Sequence, residues 1–321
     1  MSLDVIAVGE PLLEFSAVEE GPLRDVRHYE IGVGGDTSNL VIAVQRLGGS
    51  AGYITRLGDD EFGQIIWDLW QREGVDTQHV VFEPGGSTGI YFISRCKDKH
   101  NFTYYRENSA ASHLQVEDIP ASYIAKARVF HVSGISQAIS ESALQAVEWG
   151  IQKAREAGVV VSYDPNIRLG LWDLARARDV VHQTLPMVDY IFPSLEDGEA
   201  LTGSREPEQI VHYLLDRGPS LVILKLGRDG AVIGTQSGMT LIPGFKVNTV
   251  DSTGAGDTFV GAFLVALLEG SSLTHATRFA NAAAALKTTG LGAVSAIPYR
   301  EQVDELLQQT EEAKSGGDEL V

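Results

Sequence analysis

From Val250 to Phe259 the chain reads Val-Asp-Ser-Thr-Gly-Ala-Gly-Asp-Thr-Phe, followed by small and apolar residues through Leu268. Gly254 and Gly256 permit backbone angles that side chains forbid, so the first half reads as a turn. The second half places apolar residues at helical spacing. A turn that opens a helix leaves N–H groups without partners, and the helix dipole adds positive potential there. Such an end suits a phosphate, or the charge that develops on a phosphoryl group in transfer. Asp257 falls in the first helical turn. A carboxylate there repels phosphate, but it can take the proton from a hydroxyl that attacks one. By itself, Gly-x-Gly-Asp is equally a tight turn with a first-turn acid. Two carboxylates, Asp251 and Asp257, flanking one Gly-Ala-Gly make a more specific pattern.

The elements that position this stretch follow from the hydrophobic pattern. Apolar runs predict strands at 5–9, 51–56, 129–132, 159–163, 190–192 and 221–225. Helices are predicted at 37–47, 62–72, 141–157, 175–184, 207–216, 273–289 and 300–310, and a hairpin-like pair at 231–235 and 240–243. Alternating strands and helices imply one α/β domain over 1–321, its mainly parallel sheet covered by helices on both faces. Two strand-rich excursions, 11–34 and 87–108, break the alternation. The second contains a strand pair at 88–95 and 102–106 with a polar turn between. In open α/β sheets ligands lie beyond the C-terminal strand ends, and several polar clusters follow predicted strands. Neither Gly-x-x-x-x-Gly-Lys-Ser/Thr nor Gly-x-Gly-x-x-Gly after a strand is present, which excludes a P-loop and argues against a dinucleotide fold.

The 321 residues carry a net charge of −18, which argues against nucleic acid and anionic membranes as partners. An anionic ligand must then be held by local N–H groups, a few arginines or a metal. No run approaches the ~20 apolar residues of a membrane helix. Met1-Ser2-Leu3-Asp4 lacks the basic start and apolar core of a secretion signal, so the expectation is a cytoplasmic protein. The single Cys96 excludes an internal disulfide and reads as a small packing residue. The polar tail from Glu311 onward is expected to fray.

Asp251-Ser-Thr-Gly-Ala-Gly-Asp257-Thr-Phe resembles the C-terminal signature of the PfkB, or ribokinase-like, carbohydrate kinases. The family's N-terminal signature is matched by Gly34-Gly35-Asp36-Thr37-Ser38-Asn39 and by Leu57-Gly58-Asp59-Asp60-Glu61-Phe62-Gly63. The resemblance spans all but about the last dozen residues. It implies a ribokinase-like fold in which the two excursions form a small β-strand lid over a sugar, often part of a dimer interface. It implies ATP as phosphoryl donor, Mg2+, and in many members a monovalent cation, to which Asp251 and Thr253 are the matching residues. Asp257 becomes the base, and Gly254, Ala255 and Gly256 the main-chain cradle.

The resemblance also implies contacts around them. Lys225, Gly227 and Gly230 match a nucleotide-contacting loop, with Thr253, Gly254 and Gly256, and Asn281 matches a residue near the adenine. Ser194-Leu195-Glu196-Asp197 stands where the family has Asn-x-x-Glu, which organises magnesium; Asp197 is the matching carboxylate. On the sugar side the matching residues are Gly34, Gly35, Tyr91, Tyr104, Arg106, Ile135 and Arg168. Tyrosines offer apolar area with a hydroxyl, and arginine offers a planar fork for carboxylate.

Glu10-Pro11-Leu12, Tyr104-Tyr105-Arg106 and Ser133-Gly134-Ile135 are most similar to the 2-keto-3-deoxygluconate kinases, whose substrate is a sugar acid. That subfamily commonly continues Tyr-Tyr-Arg with Lys-Gly, where this chain has Glu107-Asn108. The expectation is transfer of the ATP γ-phosphoryl group to a primary hydroxyl of a sugar or sugar acid. Fructokinase is the alternative, since fructokinases share Asp-Pro-Asn-x-Arg, here Asp164 to Arg168. A sugar- or nucleotide-binding regulator without turnover is an alternative of another class, resting on Ser194 and Asp197.

Overall fold

The computed structural model describes residues 2–96 and 99–315; the Cys96 side chain, the hairpin tip at 97–98 and the tail from 316 lie outside the described residues. The run at the N-terminus forms β1 (Leu3–Val8). Both of its faces are buried, Val5 and Ala7 against one core cluster and Ile6 and Val8 against the other. A strand apolar on both faces belongs in the middle of a covered parallel sheet. The excursion that follows holds β2 (Leu12–Glu20) and β3 (Tyr29–Gly34), and the chain returns through α1 (Asp36–Arg46), β4 (Ala51–Gly58), α2 (Glu61–Glu73) and β5 (Asp76–Glu83). The second excursion is the hairpin β6 (Ile90–Cys96) and β7 (Lys99–Tyr105).

From there helices and strands alternate: α3 (Ala121–Ile124), β8 (Ala127–Ser133), α4 (Gly134–Ala138), α5 (Glu141–Glu156), β9 (Val160–Asp164), α6 (Leu174–Thr184), β10 (Tyr190–Ile191), α7 (Leu195–Thr202), α8 (Pro207–Leu215) and β11 (Leu221–Lys225). The hairpin β12 (Gly230–Thr235) and β13 (Gly238–Pro243) precedes α9 (Ala255–Leu268), α10 (Leu273–Lys287) and α11 (Arg300–Ser315).

The main sheet has nine strands in the order β13-β12-β11-β10-β9-β8-β1-β4-β5. All its pairs are parallel except those of β12 with β11 and β13. One core cluster lies beneath α1, α9 and α10, with Leu40, Phe263 and Phe279; the other lies beneath α5, α6 and α8, with Val147, Val181 and Leu214. Each such fully buried side chain contributes about 1.5–3 kcal/mol. The order of strands reverses between β1 and β8, the place where an open α/β sheet leaves a crevice at its carboxyl edge.

The two excursions meet in one four-stranded sheet, order β3-β2-β6-β7, joined by a parallel pairing of β2 with β6. The loose alternation and turn residues of 12–33 suit exposed strands, but β2 is one of the two inner strands, and its Leu12, Leu13 and Ala17 are buried. Four of these elements were not expected: α3, α4, β5 and α7. β5 has only Val80-Val81-Phe82 as a continuous apolar run and sits at the sheet edge, where alternation is weakly enforced. α7 is short, but Ser194 and Asp197 form a capping box and Gly203 closes it in the left-handed conformation. α11 continues through Ser315 rather than fraying at 311, since Glu311 to Lys314 are good helix formers and the first glycine is Gly316.

Candidate active site

The carboxyl edge of the main sheet and the inner face of the second sheet enclose a cleft of about 1250 Å3. That exceeds the 300–1,000 Å3 typical of a site for one small ligand, so there is room for two. Gly254 lines it with φ +76, the left-handed value at which a side chain costs energy, and it begins α9 without a side-chain cap. Of the N–H groups expected in the cradle, that of Ala255 already donates to the Ser252 carbonyl at 3.1 Å. Those of Gly256 and Asp257, in the uncapped first turn, remain for a ligand.

Asp257 is held by α1: the Asn39 amide donates to its Oδ2 at 2.8 Å. Lys225, at the end of β11, pairs with Asp164 at the end of β9, and its Nζ lies 3.5 Å from where a side chain on Gly256 would begin. A cation therefore stands over the helix start, in the same turn as Asp257. Burial pushes the Asp257 carboxyl up to about 7, and Asp36 and Asp164 add to the shift; the Asn39 hydrogen bond and Lys225 oppose it. Burial likewise raises Asp164 to about 6, against the pull of Lys225. A carboxylate poised near neutrality is well matched to accept a proton.

The other half of the cleft is lined from the second sheet by Leu12, Tyr91, Phe102 and Tyr104, and from the main domain by Ile135 and Arg168. Tyr91 and Tyr104 stack at 5.6 Å. Gly34 leaves room for the Tyr91 hydroxyl, which a Cβ there would strike, and Gly35, at φ +99, passes the Glu10 carbonyl where a Cβ would clash. The Tyr91 hydroxyl is engaged within the protein, donating to the buried Glu14 carboxylate.

The two arginines differ sharply. Arg106 lines the cleft but forms an ion pair with Glu10, which is 1% exposed and also accepts from Ser109 Oγ at 2.7 Å. Burial raises the Glu10 pKa and Arg106 draws it back. Arg168 is exposed on the cleft wall; its hydrogen bond runs to the Ile167 carbonyl at 3.1 Å, and among the described residues no carboxylate forms an ion pair with it. Glu107 lies outside this wall, exposed, beside Asn108 at φ 57, a conformation glycine and asparagine tolerate best.

Lys225, Gly227, Thr253, Gly254 and Gly256 line the remaining end. Gly230 shapes the turn into β12 instead, where a Cβ would strike the Ile242 carbonyl. Asn281 does not reach the cleft wall: it is buried, its amide donating to the carbonyls of Ile242 and Pro243 at 3.1 and 3.2 Å, which ties α10 to β13.

Asp197 borders the cleft, but its oxygens are occupied by the Ser194 N–H and hydroxyl at 2.9 and 2.7 Å and the Ile167 N–H at 2.8 Å. Asp197 thus serves as a helix cap, with both oxygens engaged. Both oxygens of Asp251 are also engaged, accepting from the N–H and hydroxyl of Thr253 and the N–H of Gly292. These bonds hold its pKa low although burial acts the other way. Among the described residues no three His, Cys, Asp or Glu side chains cluster to hold a metal.

Sequence reasoning missed the pairing of Asn39 with Asp257, the pairing of Asp164 with Lys225, and the acid Asp36, which accepts from Ser133 Oγ and Asn166. Asn39 and Asp36 lay inside the quoted N-terminal motif, and Asp164 inside the quoted Asp-Pro-Asn run, so their types were visible but not their partners.

Residues 2–300 match the pfkB family carbohydrate kinases. The chain is 34% identical over 322 residues to the 2-dehydro-3-deoxygluconokinase of Bacillus subtilis (strain 168), covering 98% of this chain and 99% of that protein. It is also 34% identical over 316 residues to fructokinase-1 of Zea mays, covering 95% and 98%. Among solved structures it resembles a putative ribokinase II from E. coli in complex with ATP and Mg2+, with a TM-score of 0.90 and 28% identity over 96% of this chain and 99% of that one.

Proposed function

Since the chain belongs to the pfkB family of carbohydrate kinases, phosphotransferases acting on sugar hydroxyls, we propose that it transfers the γ-phosphoryl group of ATP to the primary hydroxyl of 2-keto-3-deoxygluconate. Asp257 accepts the hydroxyl proton as the oxygen–phosphorus bond forms and the bond to the β-phosphate oxygen breaks, leaving ADP. The N–H groups of Gly256 and Asp257 and the Lys225 ammonium lie where negative charge gathers on the transferring group. The E. coli relative supports ATP as donor, its nucleotide carrying Mg2+. When bound, magnesium neutralises phosphate charge and keeps several waters. With its oxygens engaged by Ser194 and Ile167, Asp197 would meet such an ion only through water, and Lys225 would share in balancing the phosphate charge.

The four-stranded sheet acts as a lid that excludes water from the phosphoryl group. Its reach across the cleft supports this: His100 Nδ1 of β7 lies 3.4 Å from Asp251 Oδ1 beside the helix start. Ile31 and Tyr105, exposed on the face opposite Tyr91 and Tyr104, support pairing of two copies through the lid.

The observation that carries the substrate choice is Arg168, a guanidinium on the cleft wall without a carboxylate partner among the described residues. A sugar acid supplies that partner and fructose does not. A second reading, fructokinase, is favoured by the neutralisation of Arg106 by Glu10 and by the equal identity to the Zea mays protein. The deciding measurement is ATP-dependent ADP release with Mg2+ on 2-keto-3-deoxygluconate, its galactose epimer, fructose, ribose and adenosine. Preference for the keto-deoxy acids, lost in Arg168→Ala, is the expected outcome; preference for fructose transfers the assignment to the second reading.

A further inference from the structure

Lys287 is the last residue of α10 and is fully buried, at 0% exposure. Its Nζ donates to the Asp251 carbonyl at 3.0 Å. In return the N–H groups of Val250 and Asp251 donate to the Thr288 carbonyl at 2.7 and 3.1 Å, so the end of α10 and the loop leading to α9 are laced together. Two buried acids lie close by. Asp251 contributes its carboxylate, and Glu14, from β2, accepts from the Ala293 N–H at 3.3 Å. Burial pushes the Lys287 pKa down while Asp251, Glu14 and Asp257 pull it back up.

An exchangeable cation at Asp251 and Thr253 does not fit this arrangement. Oδ1 of Asp251 accepts from Thr253 N and Oγ1 at 2.9 and 2.7 Å, Oδ2 accepts from Gly292 N at 2.9 Å, and the carbonyl faces the ammonium. A buried acid cluster without a counter-charge is costly, and a cation at a helix C-terminus also meets the favourable end of the dipole. We infer that Lys287 is a tethered cation that fixes the loop carrying Thr253 and Gly254, and that the kinase reaction needs no free monovalent ion. Lys287 is a positioning residue: it touches neither substrate, and acts through the Asp251 main chain on the start of α9. The inference rests on the kinase reading for its rate arm alone.

The experiment compares wild type and Lys287→Ala in buffers whose monovalent cation is tetramethylammonium, potassium or ammonium, by ADP release and by thermal melting. Wild type is expected to give the same rate and melting temperature in all of them. Lys287→Ala is expected to lose roughly 10- to 100-fold in kcat, the scale of a lost hydrogen bond to a charged group. It should melt lower in tetramethylammonium, and recover part of both losses in potassium or ammonium, which fit the vacated space. Several-fold activation of wild type by potassium overturns the inference and needs no variant. So does a Lys287→Ala protein whose deficit is the same in every cation, which makes the lysine a packing element only. The melting arm uses no substrate, so a wrong sugar leaves it readable. Should Lys287→Ala not fold, Lys287→Arg takes its place, with wild-type-like cation independence as the expected result.

Discussion

The two ends of the cleft solve opposite electrostatic problems. At the start of α9, positive potential comes from main-chain N–H groups and from Lys225, while Asp36 and Asp164 lie close enough to add to the burial that raises the Asp257 pKa, and Asp36 adds to that of Asp164. Charge there is left unbalanced, which suits a site that must take a proton and hold a phosphoryl group. Beneath the lid, charged groups are already matched within the chain: Glu10 with Arg106 and Ser109, Glu14 with Tyr91. Only Arg168 stands apart. On the proposed function, reactivity is concentrated where pairing is incomplete, and the polar groups of the four-stranded sheet mainly set the shape of the cleft.

The largest effect expected from this contrast is at Asp257. Asp257→Asn should lower kcat by roughly 10²- to 10⁴-fold, the usual contribution of a general base, with sugar binding retained. Near-normal turnover would remove the base from Asp257 and the contrast with it. In wild type, kcat/KM should fall as pH drops below about 7, because the protonated carboxyl cannot accept the hydroxyl proton. Stability should run the opposite way. The folded-state pKa lies above the unfolded value, so the folded protein holds more protons between pH ~4 and ~7 and loses stability as pH rises through that range. Asp257→Asn should therefore melt higher than wild type at pH 8, by roughly 1 kcal/mol or more, and the gap should close towards pH 4.

The two arginines test the other end. Arg106→Ala leaves Glu10 buried without its cation, and is expected to cost roughly 3–5 kcal/mol of stability, read by denaturant unfolding. The double variant Arg106→Met with Glu10→Gln should recover much of that. Arg168→Ala should leave stability alone and raise KM for a sugar acid by roughly 10- to 100-fold, the value of a charge-assisted hydrogen bond, while KM for a neutral sugar stays put. If the effects exchange places, with Arg106 controlling KM and Arg168 stability, the lid is not pre-paired and the contrast fails.

The reactive end was largely legible because its parts are adjacent in the chain: a glycine turn, a helix and an acid fall within a few residues of one another. The alternating sheet was legible for the same reason, each strand except the edge strand β5 announcing itself as an apolar run. The lid end was not, because its meaning lies in pairs. Arg106 and Glu10 are 96 residues apart, and Tyr91 and Glu14 are 77 apart. Residue type alone made Arg106 look like an available cation. Its partner, Glu10, is an ordinary acid until burial makes pairing obligatory. Local propensity can place a side chain on an element, but only the packing of distant strands decides whether its charge is already taken.

Asp197 carries the same lesson at the smallest scale. Its position beside the cleft and its carboxylate suit a magnesium ligand, yet the geometry makes it the third residue of a capping box. It accepts from Ser194 N and Oγ and from Ile167 N, all at 2.7–2.9 Å. A carboxylate with both oxygens engaged by N–H and O–H donors is a poor metal ligand, since coordination would break bonds that satisfy buried donors. Asp197→Asn keeps one acceptor and places an amide N–H₂ against donors. It should cost about 1 kcal/mol of stability, as for other helix caps. The dependence of rate on Mg2+ concentration should not change. A shift of that dependence to higher Mg2+ with stability intact would mean that the capping box opens when nucleotide binds, and that Asp197 belongs with the unbalanced acids at the start of α9 rather than with the matched groups around it.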